Sequence, residues 1–129
     1  VVGTAEAIAS LNLSSQHARE LRSCSARELR SLVGFDFHRG VLASLERPRP
    51  RTIARLVEEW PVLGLVLVLD RIADPRNVGA LLRTARALGV TQVVLGPGCA
   101  DPYQRIALRA SMGNTFGVAV YQAEDLARA

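Results

Sequence analysis

The chain has 129 residues, 49% of them hydrophobic and 22% charged, with 16 basic against 12 acidic side chains and a formal charge of +4. These values suit one packed domain, or a small domain and part of another, and exclude a disordered or fibrous chain. Every basic residue is arginine, whose planar fork suits phosphate, although a GC-rich gene also places arginine where lysine would serve on an ordinary surface.

Cys24 and Cys99 stand far apart without metal-ligand spacing, so two reduced thiols and no metal are expected. The start, Val1-Val2-Gly3-Thr4-Ala5-Glu6, has no basic head or long apolar run, and the apolar stretch Leu65–Leu69 is too short to cross a bilayer. A soluble protein of the cytoplasm or an organelle matrix, without membrane contact, is the expectation.

Residues 1–46 mix short helical patterns with one strand. Ser25 lies three residues before Glu28, a capping-box spacing, and Leu29, Leu32 and Val33 share a face before Gly34 stops the helix. Residues 40–45 read as a strand. The run Arg47-Pro48-Arg49-Pro50-Arg51 sustains neither helix nor central strand, and residues 47–52 read as a linker. Residues 53–59 form a short amphipathic helix closed by Trp60-Pro61. Residues 63–69 are then apolar at nearly every position, the pattern of a central parallel strand covered on both faces.

Asp74-Pro75 offers an N-cap with proline at the first helical position. Val78, Leu81, Leu82, Ala85 and Leu88 recur at helical spacing, and Gly89 closes the helix. A strand over Gln92–Leu95 ends at Gly96-Pro97-Gly98. A helix over residues 103–110, a glycine-punctuated loop, a strand near Val118–Tyr121 and a helix start at Glu124 complete the pattern. Alternating strands and helices predict a parallel α/β sheet.

The stretch from Leu69 to Gly89 contains Leu69-Asp70, Asp74-Pro75-Arg76-Asn77-Val78-Gly79, Arg83-Thr84-Ala85 and a closing Gly89. It closely resembles the first signature of the SpoU family of RNA ribose 2′-O-methyltransferases. Arg109-Ala110-Ser111-Met112-Gly113 is similar to the segment that follows in that family. His38-Arg39-Gly40-Val41-Leu42-Ala43 is similar to an element of its substrate-recognition domain.

The resemblance implies an α/β fold with a parallel sheet of the trefoil-knotted SPOUT type, incomplete here. Residues 1–46 would then be part of a small α+β substrate-recognition domain, and residues 53–129 the first part of the methyltransferase domain. It further implies S-adenosylmethionine as methyl donor, structured tRNA or rRNA as acceptor, a homodimer at full length, and Asn77 with Arg83 as the catalytic pair. The family's later signatures, Gly-x-Glu and Ile-Pro-Met followed by Ser-Leu-Asn, are absent from their expected places. The resemblance therefore places the cofactor-binding residues beyond Ala129. Ser10-Leu11-Asn12-Leu13-Ser14 is similar to the last tag but precedes the first signature, and is read as coincidence.

Helical spacing puts Arg76 and Arg83 nearly on one face, with Arg86 about 60° round from Arg83. Such a face can hold RNA phosphates, with His38, Arg39 and Arg109 as further contacts. Methyl transfer from a sulfonium needs in-line positioning and removal of the hydroxyl proton. A guanidinium is a poor general base, so Arg83 is read as orienting the ribose and stabilising developing alkoxide charge, with a phosphate or water assisting proton removal. The residues leave open a bland alternative: an N-cap region, solvated arginines, and a non-catalytic or truncated RNA-binding piece without a cofactor pocket. Arg49, Arg51, Arg105 and Arg109 form either a basic track or a wet surface, Ser111 and Asn114 read as turn formers, and Cys99 as inert.

Overall fold

The computed structural model describes residues 1–12, 18–60 and 64–128, in two compact units, residues 1–46 and 47–129. In the first unit β1 (Val2–Gly3) leads into α1 (Ala5–Ser10), where the Thr4 hydroxyl accepts the Ala7 amide. β2 (Arg22–Ser23) lies parallel to β1 on one side, and β3 (Val41–Leu42) lies antiparallel on the other. Between β2 and β3 runs α2 (Ala26–Val33). Its capping box forms as the spacing predicts: the Glu28 amide donates to Ser25 Oγ at 3.2 Å and the Ser25 amide to Glu28 Oε2 at 2.8 Å. That pairing satisfies two amides at the start of the helix and draws the Glu28 carboxyl below its usual range, chiefly through the Ser25 amide. Gly34, at φ 73°, ends α2, and Leu29 is its buried anchor.

The strand expected over residues 40–45 is confined to Val41–Leu42. The short elements β1, α1 and β2 offer too few residues for a periodic signal. The fortuitous tag falls at the end of α1, with Asn12 at φ 50°; Leu13 and Ser14 lie outside the described residues.

The second unit begins with β4 (Arg51–Thr52) and α3 (Ile53–Glu58), followed by β5 (Val66–Leu69), α4 (Pro75–Ala87) and β6 (Gln92–Leu95). α5 (Arg105–Ala110), a 3-10 turn at Asn114–Gly117 and β7 (Ala119–Gln122) complete it. The four strands pair in parallel in the order β4-β7-β6-β5. Val78 and Leu82 of α4 pack on Leu69, Val93, Leu95, Val118 and Val120, while Leu56 of α3 packs on Val94, Tyr121 and Ala123. Because successive strand residues face opposite ways, this puts α3 on one side of the sheet and α4 on the other.

Four expectations are corrected. Among the described residues β5 lies at the sheet edge instead of the centre, and Val68 is 53% and Leu65 68% exposed. α4 covers the Leu67 and Leu69 face, but α3 sits over β6 and β7 and leaves Val68 bare; the interior strands are β7 and β6, the latter buried at all four residues. Of the run read as a linker, Arg51–Thr52 forms edge strand β4, opposite Tyr121 and Gln122. From Glu124 a turn forms instead of a helix among the described residues, because the Asp125 carboxylate accepts the Ala127 amide at 2.8 Å. The helix expected from residue 103 begins at Arg105, since Asp101 takes the Tyr103 amide at 2.9 Å.

β4 and α3 are clamped to β7 by one carboxylate. Glu59 receives the Tyr121 hydroxyl at 2.7 Å, Arg51 at 2.6 Å and Arg55 at 2.6 Å. The Tyr121 hydroxyl, then Arg55 and Arg51, hold the Glu59 carboxyl down at about 2. A carboxyl depressed in the folded state stabilises above its unfolded value and loses that contribution as pH falls towards the folded one. Unfolding midpoints in urea should therefore drop between about pH 5 and pH 2, and Glu59→Gln should flatten that drop while lowering the midpoint at neutral pH. Equal acid sensitivity in the variant would contradict this role.

Candidate nucleic-acid interface

The junction between β5 and α4 is fastened to the loop after β6. The Gly96 amide donates to Leu69 O at 2.8 Å, the Arg71 amide to Pro97 O at 3.2 Å and the Ala100 amide to Ile72 O at 2.8 Å. The Cys99 thiol also meets Leu69 O at 3.3 Å, a structural use of that sulfur. α4 then starts at Asp74, whose carboxylate accepts the Arg76 amide at 2.8 Å, with Pro75 at the first position. Val78, Gly79, Leu82 and Ala85 are its buried side. Gly79 permits the helix crossing: a Cβ there would stand 2.4 Å from Ala107 O and 2.6 Å from Ala110 Cβ of α5.

Anchored in this way, α4 offers two exposed flanks. Arg76 and Arg83 lie on one, close in rotation, and both are exposed. Arg76 reaches Asp74 only at 3.9 Å; Arg83 makes no ion pair or hydrogen bond with another described residue. Arg86 borders this flank but its guanidinium is packed on Gly117, where a Cβ would lie 2.9 Å from Nε. Asn77 stands on the other flank, about 120° and 9 Å from Arg83 by helix geometry. There it lines a shallow groove with Ile72, Ala80, Leu81 and Thr84. The helix thus groups Arg76 with Arg83 and does not bring Asn77 onto their face.

Arg109 is exposed on α5. His38 and Arg39 belong to the first unit, both exposed, with His38 Nε2 3.3 Å from Asp36 Oδ2. Of the proposed basic track, Arg51 is bound by Glu59 and Arg105 has interactions of its own. Ser111 and Asn114 are turn formers: Ser111 Oγ donates to Leu108 O at 3.0 Å and accepts the Thr115 hydroxyl at 2.9 Å, and Asn114 Nδ2 donates to Ser111 O.

Sequence reasoning missed two groups. Arg47 is held by Asp101 through two bonds of 2.8 and 3.0 Å and lies over the Tyr103 ring at 5.6 Å. Arg71, directly after Asp70 between β5 and α4, adopts φ 52°; nothing in a sequence marks a left-handed arginine. Beside Arg47, a cleft of 120 Å³ opens at the carboxyl ends of β6 and β7, bounded by Leu95, Gly96, Cys99, Tyr103 and Gln122. Open α/β sheets bind ligands at such strand ends. Pockets for drug-sized ligands run to roughly 300–1,000 Å³, so this cleft takes a small group and does not fit a whole nucleoside cofactor. Among the described residues no cluster of three or more metal-ligating side chains occurs, and no helix is long and apolar enough to cross a membrane.

A parallel α/β sheet with a capped, arginine-bearing helix at its carboxyl edge defines a class, the open-sheet proteins that place their ligands at strand ends. Residues 64–129 match the SpoU rRNA Methylase family, and the chain belongs to that family. An uncharacterized tRNA/rRNA methyltransferase of Mycobacterium tuberculosis is 39% identical over 101 residues, covering 78% of this chain and 34% of that protein. The 23S rRNA (guanosine-2′-O-)-methyltransferase RlmB of Acinetobacter baylyi is 30% identical over 122 residues, covering 92% of this chain and 48% of RlmB. In fold, the chain is similar to an AdoMet-bound rRNA methyltransferase of Sinorhizobium meliloti, with a TM-score of 0.67 at 20% identity, covering 98% of this chain and 48% of that one. The chain spans between about a third and a half of the length of these relatives. The sheet and helices described above are of the SpoU methyltransferase type.

Proposed function

We propose that the chain serves the transfer of a methyl group from S-adenosylmethionine to a ribose 2′-hydroxyl of tRNA or rRNA. The observation that carries this reading is α4: its inner side is fixed to the sheet, while Arg83 projects from it exposed and without a partner among the described residues. In this reading Arg83 orients the ribose and stabilises charge developing on the 2′-oxygen, Asn77 supports the sugar from the opposite flank, and Arg76 and Arg109 grip phosphates. Arg86 contributes charge while braced on Gly117. His38 and Arg39 are assigned RNA contacts within a substrate-recognition unit of residues 1–46. The donor is taken from the relatives, and no step is derived through it, since the strand-end cleft does not fit it. A homodimer and a cytoplasmic setting complete the proposal.

The electrostatic part is tested with a fluorescent RNA stem-loop. Affinity should fall with salt at a logarithmic slope of about −0.9 per duplex phosphate engaged, and Arg76→Gln with Arg83→Gln should reduce the slope by about two contacts. Absence of RNA binding, or binding indifferent to salt, would contradict the reading.

A further inference from the structure

We propose that Arg71 is a phosphate-gripping residue of the RNA interface, held over the carboxyl ends of β5 and β6 by its left-handed backbone; the inference rests on the RNA reading above. Among the described residues, three other than glycine have positive φ: Asn12 at 50°, Arg71 at 52° and Met112 at 54°. Asparagine tolerates that region because its short side chain bonds locally, and arginine has no such relief. Strain of this kind persists where the surroundings impose it, and it clusters at functional sites.

Here the surroundings are visible. The Arg71 amide is tied to Pro97 O at 3.2 Å, and its stem lies along Gly98, where a Cβ would meet Arg71 Cα and Cγ at 3.6 Å. The residue is exposed, with its stem running beside Gly98, and it makes no ion pair or side-chain hydrogen bond with another described residue. Neighbouring Asp70 forms no ion pair with it. A buried ion pair would explain an arginine kept at structural cost; a backbone fixed by the Pro97 carbonyl, with a fork free among the described residues, instead suits an external anion. The fork matches two phosphate oxygens. It belongs to the segment that leads into α4, a 13-residue helix carrying exposed Arg76 in its first turn, whose amino end adds positive potential.

The experiment uses the chain itself, its Arg71→Gly and Arg71→Lys variants, and a fluorescent RNA stem-loop titrated at several salt concentrations, with thermal unfolding alongside. Arg71→Gly should keep the wild-type Tm or exceed it by a few degrees, because glycine accepts the backbone freely. It should nonetheless bind the RNA about tenfold more weakly and lose about one unit of salt slope. Arg71→Lys should retain the slope with a smaller loss of affinity. A higher Tm with unchanged RNA affinity and slope would overturn the inference, as would a marked fall in Tm for Arg71→Gly. If the wild-type chain binds no RNA, the functional reading fails and this inference with it; if the wild type binds and Arg71→Gly binds equally well, only this inference fails.

Discussion

Gly79→Ala is expected to lower stability by about 3 kcal/mol, near the upper end for an overpacked interior, and to lower Tm by more than about 10 °C. The added methyl would meet Ala107 O at 2.4 Å, Ala110 Cβ at 2.6 Å and the Ser111 amide nitrogen at 2.9 Å. Two of those atoms are backbone, so relief requires α5 to move away from α4. The movement would disturb Ser111 and Thr115, both fully buried and bonded to each other. The glycine of the Asp-Pro-x-Asn-x-Gly signature therefore has a packing role: it lets two helices cross closely enough to fix the helix that displays Asn77 and Arg83. A Tm within a few degrees of wild type would show that the crossing is softer than this geometry implies.

Elements whose causes are local were legible in the sequence. Ser25 and Glu28 announced α2, Asp74-Pro75 announced α4, and the strand read over Gln92–Leu95 formed with those bounds, as one of two interior strands. Elements that exist through distant partners were not. β4 is two residues whose partners, Tyr121 and Gln122, lie some seventy positions away. Residues 63–69 have the composition of a central strand, yet which side of a strand is covered depends on where α3 and α4 settle. At Glu124 a single Asp125 side chain captured the backbone and replaced a helix start with a turn.

The candidate site divides in the same way. Asn77 and Arg83 were singled out through a motif, and the spacing that sets Arg76 near Arg83 applies because Pro75–Ala87 is helical. Arg51, equally basic in sequence, is spent on Glu59 and Tyr121, and Arg86 is packed on Gly117; neither pairing leaves a periodic trace. The left-handed conformation of Arg71 has no sequence signal, because it is imposed by the loop after β6.

Arg83→Ala is expected to reduce methyl transfer by about 10²–10³-fold, the loss typical of removing one donor that stabilises a developing oxyanion. Stability should be unchanged, since Arg83 is exposed and bonds to no other described residue. Arg83→Lys keeps the charge but not the fork, so it should recover only a minor part of the rate. The decisive measurement incubates the complete gene product with methyl-labelled S-adenosylmethionine and RNA, and identifies the labelled nucleoside by mass spectrometry. The account predicts a 2′-O-methylated ribose in the wild type and its near-complete loss in Arg83→Ala at an unaltered Tm. A methyl group on a base, or an Arg83→Ala protein as active as wild type, would contradict it.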